Sequence, residues 1–156
     1  MITVEIPGRA AVELAGVVFD MNGTLTIDGV LGEPERQLLR RLGERLAVYV
    51  LTADTFGTAA GVFAGLPLEL HKLTTACGHL EKRAFLAGLG ADRHAAVGNG
   101  FNDHLLLRAA AVGVCVLGRE GAHPLTLGNA DLVVPSTAAA IELFLDPRRL
   151  VAGLRS

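Results

Sequence analysis

Gly16-Val17-Val18-Phe19-Asp20-Met21-Asn22-Gly23-Thr24-Leu25-Thr26 decides how the rest of the chain is read. Gly16 to Phe19 is a short apolar run that predicts a buried strand. Asp20 follows at its carboxyl end. In an α/β sheet the carboxyl ends of the strands open onto the ligand crevice, so this order delivers a carboxylate on a rigid support. Gly23 lets the backbone turn sharply and brings its amides close to an anion.

Outward from this stretch, apolar runs alternate with helical patterns. That alternation predicts an α/β fold, a three-layer Rossmann-like core with a central, mostly parallel sheet and helices on both faces. Ile2 to Ile6 reads as an edge strand ending at Pro7-Gly8. Asp28-Gly29 reads as a small hairpin turn. A helix follows with Pro34 in its first turn and Leu38, Leu39, Leu42 and Leu46 on one face. Further strands are predicted at Ala47 to Leu51, Leu66 to Leu70, Ala95 to Val97, Val112 to Leu117 and Leu132 to Val134. Helices are predicted at Asp54 to Gly65, His79 to Leu89 (stopped by Gly90), Asp103 to Ala111 and Thr137 to Leu145. The chain has no repeats or linkers, which predicts one domain over residues 1–156.

Composition narrows the function classes. The 156 residues are 51% hydrophobic but only 4% aromatic, without Trp, so the core is aliphatic. A net charge of −2 with no basic patch argues against a nucleic-acid surface. No apolar run approaches the ~20 residues that span a bilayer. Met1 to Arg9 lacks signal-peptide character. Cys77 and Cys115 suggest no disulfide framework, which predicts a reduced, cytoplasmic protein. There are twelve Arg but only two Lys, Lys72 and Lys82, so a site that needs an ammonium has two candidates.

Three further pieces stand in order along the chain. Thr52 ends the run Val48-Tyr49-Val50-Leu51 and is followed by Ala53-Asp54. Lys82 lies one helix before the Ala95 strand. Gly98-Asn99-Gly100-Phe101-Asn102-Asp103 follows that strand. Taken singly, each has a bland explanation: a strand-ending turn, a helix cap, a solvated lysine, a loop. Together they resemble the haloacid dehalogenase (HAD) superfamily, whose first signature is Asp-x-Asp-Gly-Thr and whose last is Gly-Asp-Gly-x-Asn-Asp. The string at Asp20 is closer still to Asp-Lys-Thr-Gly-Thr-Leu-Thr of the P-type ATPases, and the chain is similar to small stand-alone P-type ATPase-like HAD hydrolases. The likeness runs from about Gly16 to Val134.

The resemblance implies a Mg²⁺-dependent phosphohydrolase or phosphotransferase acting on a phosphorylated substrate. Asp20 would be the nucleophile and become an aspartyl phosphate. Thr52 and Lys82, with Gly23, Ala53 and Asn102, would hold the phosphoryl group. Asp20, the Asn22 carbonyl, Asn99 and Asp103 would hold Mg²⁺, Asp103 through a bound water. Lys72 is the runner-up to Lys82. The intervals from Leu25 to Thr52 and from Thr52 to Lys82 leave no room for a cap domain. An open site and an apolar composition favour a homo-oligomer.

Two family aspartates are Asn here. Asn22 stands where the family places its acid–base Asp, and an amide neither holds nor releases that proton. General acid–base help is worth ~10²–10⁴ in rate, so an activated phosphoryl donor or slow turnover is expected. Asn99 removes one charge from the metal site, so weaker Mg²⁺ binding is expected. The alternative is a non-catalytic phosphate-binding or regulatory module; a receiver-like phospho-acceptor fits less well, because of the Gly-Thr after Asp20 and the late Gly-Asn-Gly-x-Asn-Asp. His71, Cys77 and His79 lack usual zinc spacing. Cys115 reads as core, and Phe101 borders the substrate mouth, belongs to the core or anchors its loop.

Overall fold

In the computed structural model, residues 1–53 and 58–155 are described. Two short strands near the start, β1 (Ile2–Val4) and β2 (Val12–Leu14), pair with each other antiparallel. The strands of the main sheet are β3 (Gly16–Asp20), β4 (Ala47–Thr52), β5 (Glu69–Lys72), β6 (His94–Gly98), β7 (Val112–Val116) and β8 (Leu132–Val134). They lie in the order β5-β4-β3-β6-β7-β8, and every pairing is parallel.

Alternation along each strand builds two apolar layers, because successive side chains point to opposite faces. Val17, Phe19, Val48, Val50, Ala95 and Val97 face one way. They pack with Leu39 and Leu42 of α1 (Glu33–Gly43), Ile141 and Phe144 of α6 (Thr137–Leu145) and Leu150 of α7 (Pro147–Leu154). Val18, Leu51, Ala96 and Cys115 face the other way. They pack with Leu86 of α3 (Gly78–Leu89) and with Leu106 and Leu107 of α4 (His104–Ala109). Two short helices, α2 (Ala59–Val62) and α5 (Pro124–Gly128), complete the chain.

The chain runs outward from β3 through β4 to β5, then returns to place β6 on the other side of β3. This reversal is a topological switch point: the connections leaving the carboxyl ends of β3 and β6 lead to α1 and α4 on opposite faces of the sheet, the arrangement that opens a crevice between them. The β3–α1 connection carries only a turn and the predicted hairpin. Ile27 and Val30 exchange backbone hydrogen bonds of 3.1 and 3.0 Å. Asp28 and Gly29 have φ of 53° and 77°, a type I′ turn.

Several boundaries differ from the sequence expectation. The Ile2–Ile6 segment is not an edge of the main sheet: its strand ends at Val4 and pairs with Val12–Leu14, after the chain doubles back beyond Pro7-Gly8. The third strand runs over Glu69–Lys72 rather than Leu66–Leu70. Pro67 has no N–H to give a ladder, so pairing starts beyond it. The first long helix ends at Gly43, leaving Leu46 buried past its end. The fourth helix is preceded by a 3₁₀ turn over Phe101–Asp103. Residues 54–57 of the helix expected over Asp54 to Gly65 lie outside the described residues, and the described part is Ala59–Val62. α5 and α7 were not expected. Each starts with Pro in its first turn after a capping side chain, His123 and Asp146 respectively.

Candidate active site

Asp20 ends β3 in register with Leu51, and the loop after it coils tightly on itself. The Met21 carbonyl accepts from Leu25 N and Thr26 N, both at 2.9 Å. Gly23 has φ of 78°, and a Cβ built on it would lie 2.5 Å from Glu120 Oε2 and 2.7 Å from Asn99 Nδ2. Position 23 therefore needs glycine for its conformation and for the close approach of two neighbours. Thr24 Oγ1 lies 3.3 Å from Asp20 Oδ2 and 3.0 Å from Asn99 Oδ1, joining the first and last signatures. Thr137 Oγ1 donates to the Thr24 carbonyl and ties the loop to α6.

Lys82 projects from α3, fully buried, one turn before buried Leu86. Its Nζ lies 2.5 Å from Asp20 Oδ1 and 2.7 Å from Asp103 Oδ1. Asp103 Oδ2 accepts from Asn99 N at 3.0 Å and Gly100 N at 2.9 Å. Asp103 presses so close that a Cβ on Gly98 would lie 2.5 Å from its Cγ. Lys72, the other lysine, is exposed at the end of β5.

Burial and the nearby Asp103 charge push the Asp20 carboxyl up to about 7, although Lys82 and Thr24 pull against them. For Lys82, burial disfavours the ammonium, but Asp20 and Asp103 together outweigh it and raise the pKa. Burial, with the Asp103 charge, pushes the Cys115 thiol up to about 11, which suits an inert core residue.

A cleft of about 210 Å³ opens above these groups. Asp20, Asn22, Ala53, Lys82, Asn99 and Asn102 all line it. Thr52, Gly23 and Asp103 are buried and lie outside the described lining. The Thr52 carbonyl accepts from Leu73 N at 2.8 Å. The expected helix head beside Thr52 does not lie among the described residues, since α2 starts at Ala59.

Two features of the site were not assigned from sequence. Glu120 also lines the cleft, from the Gly118–Gly121 turn after β7. A glutamate between two glycines matches no motif, and only its turn was open to reading. Phe101, 49% exposed, carries three imidazoles around it: His104 at 4.9 Å, His123 at 5.2 Å and His79 at 5.8 Å between ring centroids. It stands between Gly100 and Asn102, which line the cleft, and its exposure excludes it from the core.

The donors suit a hard divalent cation. Asp20, the Asn22 carbonyl and Asn99 Oδ1 offer oxygen, and no thiol or imidazole lines the described cleft. Both Asp103 oxygens already accept within the protein, so it fits an orienting role better than a direct ligand.

No family model matches the chain. An uncharacterised protein of Methanocaldococcus jannaschii is 47% identical over 60 residues, which cover 38% of this chain and 64% of that protein. The match thus spans somewhat under two thirds of that relative's length. A candidate HAD-family hydrolase from Streptomyces avermitilis superposes with a TM-score of 0.67 at 21% identity, covering 85% of this chain and 83% of that one. The 3-deoxy-D-manno-octulosonate 8-phosphate phosphatase of Moraxella catarrhalis, solved with magnesium, phosphate and sugar acid, superposes at 0.63 and 16% identity over 85% and 86% of the two chains. The six-stranded parallel sheet with helices on both faces, and its likeness to these structures, give this chain the fold of the haloacid dehalogenase hydrolases.

Proposed function

We propose that this protein is a Mg²⁺-dependent phosphohydrolase or phosphotransferase that carries a phosphoryl group on Asp20. The observation that carries the reading is the Asp20–Lys82–Asp103 array: a strand-end carboxylate held by a buried ammonium at the floor of an open cleft. Phosphoryl transfer asks for positioning and charge balance above all, and this array provides both. The resemblance in sequence and the phosphatase named among the fold neighbours support the same reaction class.

In this reading Asp20 attacks phosphorus in line with the departing oxygen. Lys82 neutralises charge on the nucleophile and the equatorial oxygens. Thr24 orients Asp20, and Asn102 and Ala53, which line the cleft, are assigned to the phosphoryl group together with Gly23 and Thr52, which are buried next to lining residues in the chain. A bound Mg²⁺, held by Asp20, the Asn22 carbonyl and Asn99, supplies further charge neutralisation. Asn22 cannot protonate the leaving oxygen, so activated donors such as acyl phosphates or phosphoanhydrides are favoured. The string at Asp20 supports a P-type ATPase-like, persistent intermediate.

Intact mass after incubation with Mg²⁺ and acetyl phosphate tests the reading. A phosphoadduct is expected on the native chain and none on Asp20→Asn. Asn22→Asp is expected to shorten the adduct's lifetime by ~10²-fold or more. A non-catalytic module, the reading that Asn22 and Asn99 favour, gives no adduct and no phosphate release in any of the three proteins.

A further inference from the structure

The residue at position 22 leaves the reaction without a proton carrier, yet the structure brings a carboxylate into the cleft from an unrelated part of the chain. Among the described residues lining the cleft, three side chains can exchange a proton: Asp20, Lys82 and Glu120. Asp20 is the nucleophile in the reading above, and Lys82 is locked between two carboxylates. Glu120 is engaged by neither. Its Oε2 lies 2.5 Å from where a Cβ on Gly23 would stand, and its Oε1 accepts from Asp28 N at 3.5 Å, so the carboxylate lies beside the loop that follows Asp20.

Glu120 is also held there. Gly121 N donates to the Gly118 carbonyl at 3.0 Å, closing the turn that presents it. Asn99 Nδ2 donates to the Gly121 carbonyl at 3.1 Å and pins that turn to the site. An aspartate at position 99 has no N–H to give this bond. The two departures from the family pattern are therefore linked. Asn22 removes the usual proton carrier, and Asn99 fastens the turn that brings another.

We infer that Glu120 is the general base for release of the phosphoryl group; this rests on the proposed chemistry at Asp20. A water oxygen attacks phosphorus as Glu120 takes one of the water's protons. The bond between phosphorus and Asp20 breaks, and its electron pair returns to the Asp20 carboxylate. The products are hydrogen phosphate, free Asp20 and protonated Glu120, which then loses its proton to solvent.

The test follows adduct formation and decay separately by intact mass, with acetyl phosphate and Mg²⁺, on the full chain. Glu120→Gln is expected to slow decay at least tenfold, and toward ~10²-fold, while formation changes far less. Glu120→Ala is expected to decay as slowly and to recover when formate is added as a small replacement base. Unchanged decay in both variants overturns the inference. So does a parallel fall in formation and decay that saturating Mg²⁺ reverses, because that marks a metal-holding role. If the native chain forms no adduct at Asp20, the phosphoryl-transfer reading fails and this inference falls with it. If the adduct forms and decays without regard to Glu120, only the inference falls.

Discussion

Asp20 keeps its proton far above the range of a solvated carboxyl because burial and Asp103 outweigh its bond to Lys82. The sign follows from linkage. The folded state holds a proton between the ordinary value of 3.8 and about 7, where the unfolded chain has lost it. Stability therefore falls as pH rises through that window. In the metal-free protein, the melting temperature is expected to fall by several degrees more between pH 4 and 7 for the native chain than for Asp20→Asn. Equal slopes in the two proteins would show that Asp20 titrates as an ordinary carboxyl. At this scale the sequence was generous. Asp20, Asn99 and Asp103 sit in strings with fixed internal spacing, so their types and order announced a site. Lys82 was harder to read, since a lysine on a helix is mostly solvated and nothing local shows that its Nζ ends between two buried acids. Glu120 was out of reach, because its place depends on a hydrogen bond from Asn99 to the distant Gly121 carbonyl.

At the scale of elements, α3 does two jobs from adjacent residues. Lys82 points into the site, while Glu81 clasps the loop leading into the helix. The Glu81 carboxylate accepts from Thr74 N and Thr75 N and from both threonine hydroxyls, at 2.9 to 3.1 Å. The two backbone bonds, chiefly, hold its pKa down at about 2, against an ordinary 4.5. A depressed acid stabilises the fold above its unfolded value, and the contribution is lost as pH falls toward the folded one. The Thr74 and Thr75 amide resonances are thus expected to shift with a midpoint near 2; a midpoint near 4.5 would show that the clasp does not form in solution. Elements defined by a strong period or a clear cap were legible, as at Leu132 to Val134 and Thr137 to Leu145. Those decided by partner choice were not. Nothing in Ile2–Val4 says that it pairs with Val12–Leu14 rather than with the main sheet, and α7 has little more than Asp146-Pro147 to announce it.

At the scale of the molecule, the site depends on a sheet whose central strand is closed on both edges. β3 pairs with β4 and β6, so Asp20 reaches the crevice on a support that cannot shift without breaking two ladders. The larger apolar layer beneath it includes Phe144, wholly buried between α6 and the sheet. Phe144→Ala is expected to lower unfolding free energy by about 3–5 kcal/mol in urea titration, the usual cost of emptying an aromatic core site. Adduct formation at Asp20 is expected to survive, because Phe144 lies on the layer opposite α3 and α4. The fold class was readable because alternating apolar runs and helices admit few arrangements. The strand order and the reversal at the switch point are not legible in the periodicity, because each run could pair with several neighbours.

The Lys82 bridge has a consequence for the protein's life history. Buried acids need a positive partner before they are shut away from water, and here that partner is an internal part of the chain, present from the moment of synthesis. Folding need not wait on the ion supply of the cell. Under the Mg²⁺-dependent reading proposed above, the ion would then start the reaction rather than complete the fold. A chelator is accordingly expected to silence phosphate release while leaving the melting curve in place; unfolding on chelation would show instead that construction and start-up are one event.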